Sequence, residues 1–194
     1  MSRVSKIVFL AVLLAAPAAS QGRVEGHGVA RRFISQKYMF SMAVPVGWAV
    51  STLLDTPVFF YASSSERFVQ DAIPQGGAVI TTASHDTVSG QSKSATTPET
   101  WALADAHVFA SNSPPIEPFQ MPRESGASRA VMCSYNEAAL SLDQHTQHSV
   151  AIYWEFKQKL FEAHLRYNAE DSNGPALEKV FLQTVRSLRP LDRR

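Results

Sequence analysis

The sequence predicts an α+β domain: a mostly antiparallel β-sheet with flanking helices. Three observations carry that prediction. Strand-like runs follow one another along the chain. A long aromatic hairpin occupies residues 150–167. Two helical segments, one central and one terminal, carry their own start or stop residues. Strands in consecutive runs with helices set apart argue against alternating βαβ units.

Residues 1–20 precede that domain. Arg3 and Lys6 form a basic head, Ile7 to Leu14 an apolar run, and Ala15 to Ser20 a small-residue end. That order is a secretory signal peptide. The run is shorter than the ~20 residues a spanning helix needs. Cleavage is expected after Ala18 or Ser20, and the mature protein is expected in the periplasm or outside the cell. No cysteine follows the run and no second long apolar run occurs, so no stable membrane anchor is expected after cleavage.

Residues 21–32 read as a flexible mature N-terminus, 33–189 as a single domain, and 190–194 as a tail. From Tyr38 to Ala43 nearly every side chain is apolar or sizeable, as in a strand covered on both faces. Pro45 and Gly47 end it. Val58–Ala62 and Ala78–Thr82 are the next strand-like runs, and 84–97 is a polar loop. Thr97-Pro98-Glu99 then opens a helix: a capping hydroxyl, a proline suited to the first position, and an acid at the positive end of the dipole. Trp101, Ala104 and Val108, with Phe109 beside them, give it an apolar stripe. Ser113 to Gly126 is a proline-rich connection that cannot be a helix or central strand, and Ala130–Tyr135 is a strand. Val150, Ile152, Trp154 and Phe156, then Phe161, Ala163, Leu165 and Tyr167, alternate as a hairpin with one strongly apolar face. Asn173-Gly174-Pro175 leads into a last helix with Leu177, Val180, Phe181, Val185 and Leu188 inward; Pro190 stops it.

Composition excludes several functions. The leader takes two of the 18 Lys+Arg and none of the 17 Asp+Glu. The near-neutral remainder lacks the basic footprint of a nucleic-acid binder. Cys133 is the only cysteine, so the fold rests on packing rather than on disulfides. It reads as a buried, inert thiol.

Tyr38-x-Phe40 followed by Pro45-x-Gly47-Trp48 resembles the opening of PsbP-like domains, α/β/α sandwiches around an antiparallel sheet. The aromatic hairpin (Tyr153, Phe156, Phe161, Leu165, Tyr167) and a terminal helix ending at Ser187-Leu188 extend the resemblance over roughly 33–189. The superfamily holds an extrinsic photosystem II subunit, a nuclear Ran-binding factor and bacterial secreted proteins. The resemblance implies a binding or assembly module, core roles for Tyr38 and Trp48, and no shared catalytic motif.

Two functional readings follow. The first is an exported non-catalytic binding or assembly module with a protein or lipid-like partner. Its candidate surface is Ile116, Phe119 and Met121, apolar groups on the proline-rich connection. The second is a metal-dependent or acid–base enzyme using Asp143, His145 and His148, residue types that make zinc sites. Strand spacing opposes it, since i and i+3 point to opposite faces. His85-Asp86 reads as a solvated turn. Glu162, His164 and Arg166 line the non-core face of the hairpin, as a cross-strand charged strip or one wall of a polar site. No G-x-S-x-G, S-x-x-K, H-E-x-x-H or phosphate-loop pattern occurs, and no cofactor or stoichiometric metal is expected.

Overall fold

The structure, a computed structural model, describes residues 22–51, 58–64, 73, 76–84, 97–137 and 146–191. The chain runs β1 (Arg23–Glu25), β2 (Arg32–Ser35), β3 (Phe40–Ala43), β4 (Ala49–Ser51), β5 (Val58–Ser63) and β6 (Ala78–Ser84), then α1 (Pro98–Phe109). It continues through β7 (Glu117–Pro118), β8 (Arg129–Asn136), β9 (Gln147–Phe156), β10 (Lys159–Asn168), α2 (Gly174–Arg186) and β11 (Arg189–Pro190). Seven strands form one sheet in the order β4-β5-β6-β10-β9-β8-β7, and four form a smaller one, β1-β2-β3-β11. Every strand pair is antiparallel. The fold is α+β, as the pattern of runs predicts.

β9 and β10 are the spine. Their ten-residue pairing runs from Lys159↔Phe156 to Asn168↔Gln147. Lys157 and Gln158 close it at φ of 51° and 62°, the left-handed pair that a two-residue hairpin turn requires. Alternation then sends the two sets of side chains to opposite layers. Phe161, Leu165, Ile152 and Trp154 join Phe40, Phe59, Phe181 and Val185 in the larger core, between the big sheet, the small sheet and α2. Ala151 and Tyr153 join Val131, Cys133, Tyr135, Trp101 and Ala102 in a second cluster beneath α1. The hairpin is thus covered on both faces. Sequence alone pointed to one, because Glu162, His164 and Arg166 mark the α1 face as polar.

The small sheet corrects both chain ends. Arg23–Glu25 pairs with Arg32–Ile34, where a loose lead-in was expected. Pro190 pairs with Phe40, so the chain stays in the fold past 189. In each case the partner strand offers an edge, and edge strands tolerate short segments and proline. Tyr167 lies across the start of α2, and a Cβ on Gly174 would sit 2.7 Å from its ring. Only glycine fits there. Val180, expected in the core, is half-buried, while Phe181 is fully buried. Among the described residues no helix is long and apolar enough to cross a membrane.

Candidate functional site

α1 starts as the sequence predicts. Thr97 accepts from the Thr100 amide, and the Thr100 hydroxyl accepts from the Thr97 amide, closing a capping box with Pro98 in the first turn. Its buried face differs from the expected stripe. Trp101, Ala102, Asp105 and Ala106 face the sheet, while Val108 is 48% and Leu103 59% exposed. The helix is turned so that an acid, Asp105, points inward. That is tolerable because it meets two polar groups of the sheet there, the Tyr153 hydroxyl and the His164 imidazole.

The groups that meet Asp105 come from β9 and β10. The Tyr153 hydroxyl donates to Asp105 Oδ2 at 2.8 Å. His164 Nε2 stands 3.8 Å from Asp105 Oδ2 and 3.6 Å from Glu162 Oε2. The Trp101 indole N–H donates to Glu162 Oε2 at 3.1 Å. Register explains the convergence: Glu162 pairs with Tyr153 across the hairpin, and His164 with Ala151. Glu162 and His164, two apart on one strand, therefore share a face with Tyr153, and α1 closes over them.

Burial sets the electrostatics. Asp105 is 4% exposed, and its carboxyl is pushed up to about 6 by burial and by the Glu162 charge, against the opposing pull of His164 and Tyr153. Burial works against charge on His164, but Glu162 and Asp105 outweigh it and shift the imidazole upward. Burial and the nearby Asp105 charge push the Cys133 thiol up to about 12, which makes it the inert cysteine expected. Chemically the cluster can hold a proton between a carboxylate and an imidazole, or present three ligand atoms to a cation; each of the three residues offers one atom, all within 4.8 Å of one another. Sequence reading noted Glu162, His164 and Arg166 on one face of the hairpin but missed Asp105, which reaches Glu162 and His164 only through the docking of α1.

The residues expected at other sites are dispersed. Asp143, His145 and His85-Asp86 lie outside the described residues. His148 is on β9, on the opposite face from His164. Its Nδ1 bonds the Asn136 side-chain oxygen at 2.7 Å and its Nε2 bonds Ser134 Oγ at 2.8 Å, so both ring nitrogens are already engaged. Ile116, Phe119 and Met121 do not form one exposed strip. Ile116 packs on the cluster under α1, and Phe119 and Met121 on the larger core. Positions 116 and 119 straddle an edge strand and so point to opposite faces. The Arg186 guanidinium covers the Phe119 ring at 5.2 Å.

No family model matches the chain, and no curated protein does. Among solved structures it is similar to a mutant of the protein Mog1, at 14% identity and a TM-score of 0.48, over 83% of this chain and 95% of that one. It is also similar to cyanobacterial PsbP from Synechocystis sp. PCC 6803, at 16% identity and a TM-score of 0.43, over 85% and 94%. A Pseudomonas aeruginosa protein of unknown function matches at 10% identity and a TM-score of 0.37, over 89% and 99%. Likenesses of this size carry no function across.

Proposed function

We propose that this chain is an exported, non-catalytic binding or assembly module that engages a protein partner in the periplasm or outside the cell. The observation that carries the reading is the proline-rich crossing. Glu117–Pro118 forms the last strand of the large sheet, paired to β8 alone. Ile116 on one face and Phe119 and Met121 on the other pin it from both sides. Between and beside them Pro115, Glu117, Pro118 and Gln120 are exposed. A segment so stiffened loses little freedom on binding, which favours affinity. Pro118 has no N–H, so a partner reads side chains here rather than adding a strand. Exposed groups of both signs, Glu117, Arg123 and Glu124, suit a protein surface better than a lipid one. The proposed surface thus lies on the same connection, with Ile116, Phe119 and Met121 as its footing on the two cores rather than as its contact groups.

Two further observations support the reading. The leader gives an export address. The acid–base groups Asp105 and Tyr153 are 4% and 1% exposed, held between helix and sheet with each other as partners.

The test is a surface variant, Glu117→Arg with Gln120→Arg, compared with Asp105→Asn. Exposed substitutions of this kind change stability by less than about 0.5 kcal/mol. The surface variant should lose the protein that co-purifies with the chain from its host, and Asp105→Asn should keep it. Loss in Asp105→Asn with retention in the surface variant would move the function to the buried cluster.

A further inference from the structure

The cluster beneath α1 is poorly explained as a salt-bridge network. His164 Nε2 is sealed from solvent and has no hydrogen-bond partner. It points between Asp105 Oδ2 at 3.8 Å and Glu162 Oε2 at 3.6 Å, distances too long for hydrogen bonds. Two carboxylates, buried Asp105 and partly buried Glu162, also face the one imidazole, and bringing like charges together at a largely dry site is costly.

The same geometry suits a cation. Neighbouring ligands of a tetrahedral ion with bonds of about 2.0–2.1 Å lie roughly 3.4 Å apart, a few tenths inside the two separations from His164, and all three ligand atoms lie within 4.8 Å of one another. As its Nδ1–H tautomer, His164 turns a lone pair toward both carboxylates. The oxygens that face His164 are themselves held by donors: Asp105 Oδ2 accepts from the Tyr153 hydroxyl and Glu162 Oε2 from the Trp101 indole N–H. Ligating carboxylates are typically hydrogen-bonded in this way. We infer that Asp105, Glu162 and His164 hold a divalent ion of the zinc class, which clamps α1 to β10. One imidazole nitrogen with two carboxylate oxygens fits borderline zinc; calcium and magnesium take more ligands, and oxygen ones. A dication balances the two carboxylates, and a water completes the coordination. The site is independent of the partner surface: it fixes the helix whichever surface the partner reads.

The expectation of no metal rests on absent motifs and on the spacing of Asp143, His145 and His148; Asp105 escapes it because it is far in sequence from Glu162 and His164 and meets them only in the fold.

The experiment uses the full mature chain, stripped with EDTA and titrated with Zn2+. About one ion per chain should bind, with a higher thermal midpoint and slower amide exchange across 98–109. Asp105→Asn and Glu162→Gln keep acceptors for Tyr153 and Trp101 while removing the ligand charge. Each should weaken zinc binding by about 10-fold or more, and His148→Gln should bind like the wild type. A readout free of variants is Co2+ added to the wild type, which should broaden the Trp101 indole N–H resonance and spare that of Trp48. The proposal is overturned if the wild type takes up no zinc from excess, if both variants bind as the wild type does, or if Co2+ leaves Trp101 untouched.

Discussion

Burial holds the Cys133 thiol, at 2% exposure, in its neutral form. It does the same for the phenols of Tyr135 and Tyr167, both shifted upward chiefly by desolvation. The pH consequence follows from the sign. Each group binds its proton more tightly when folded, so its contribution is intact below the unfolded value of 9.0 for the thiol or 10.0 for the phenols. Above that value the unfolded chain ionises and the folded chain does not. Stability should therefore fall steadily as pH rises from about 9 towards 12. Tyrosinate absorbance and loss of circular dichroism should appear together in an alkaline titration. A thiol and phenols that titrate normally while the dichroism stays native would contradict the buried assignments. The inertness of Cys133 was legible from its apolar neighbours Val131 and Met132. The inward aspect of Asp105 was not. An aspartate between alanines on a helix reads as solvated, and the tyrosine that satisfies it lies 48 residues away.

At the scale of elements, local chemistry was readable and tertiary choice was not. Thr97 and Pro98 announce α1 because capping is settled within one turn. Which stripe of α1 faces inward depends on what lies beneath, so Trp101, Ala104 and Val108 gave way to Trp101, Ala102, Asp105 and Ala106. The β9–β10 turn makes a further prediction. Lys157 and Gln158 hold left-handed φ values that cost non-glycine residues. Replacing them with Asn-Gly, the preferred pair for this turn, should stabilise the fold by about 0.5–1 kcal/mol, read as a higher urea midpoint at constant slope. A lower midpoint would mean that Lys157, whose ammonium sits 4.9 Å over the Phe156 ring, contributes more than the turn costs.

At the scale of the molecule, strand succession and the two helices made the α+β class legible. The small sheet was hidden because its outer strands, three and two residues long, are shorter than any hydrophobic period can reveal. The same shortness hides β7, the edge to which the proposed function is assigned. Pinned from both faces and stiffened by proline, it is the surface that the account gives to a protein partner. The direct measurement is site-specific photocrosslinking in the host, with the crosslinking residue at Gln120 and, as control, at exposed Lys179 on α2. The account predicts one discrete protein adduct from position 120, recovered outside the cytoplasm, and none from position 179. No adduct at 120, or the same adducts from both positions, would contradict it.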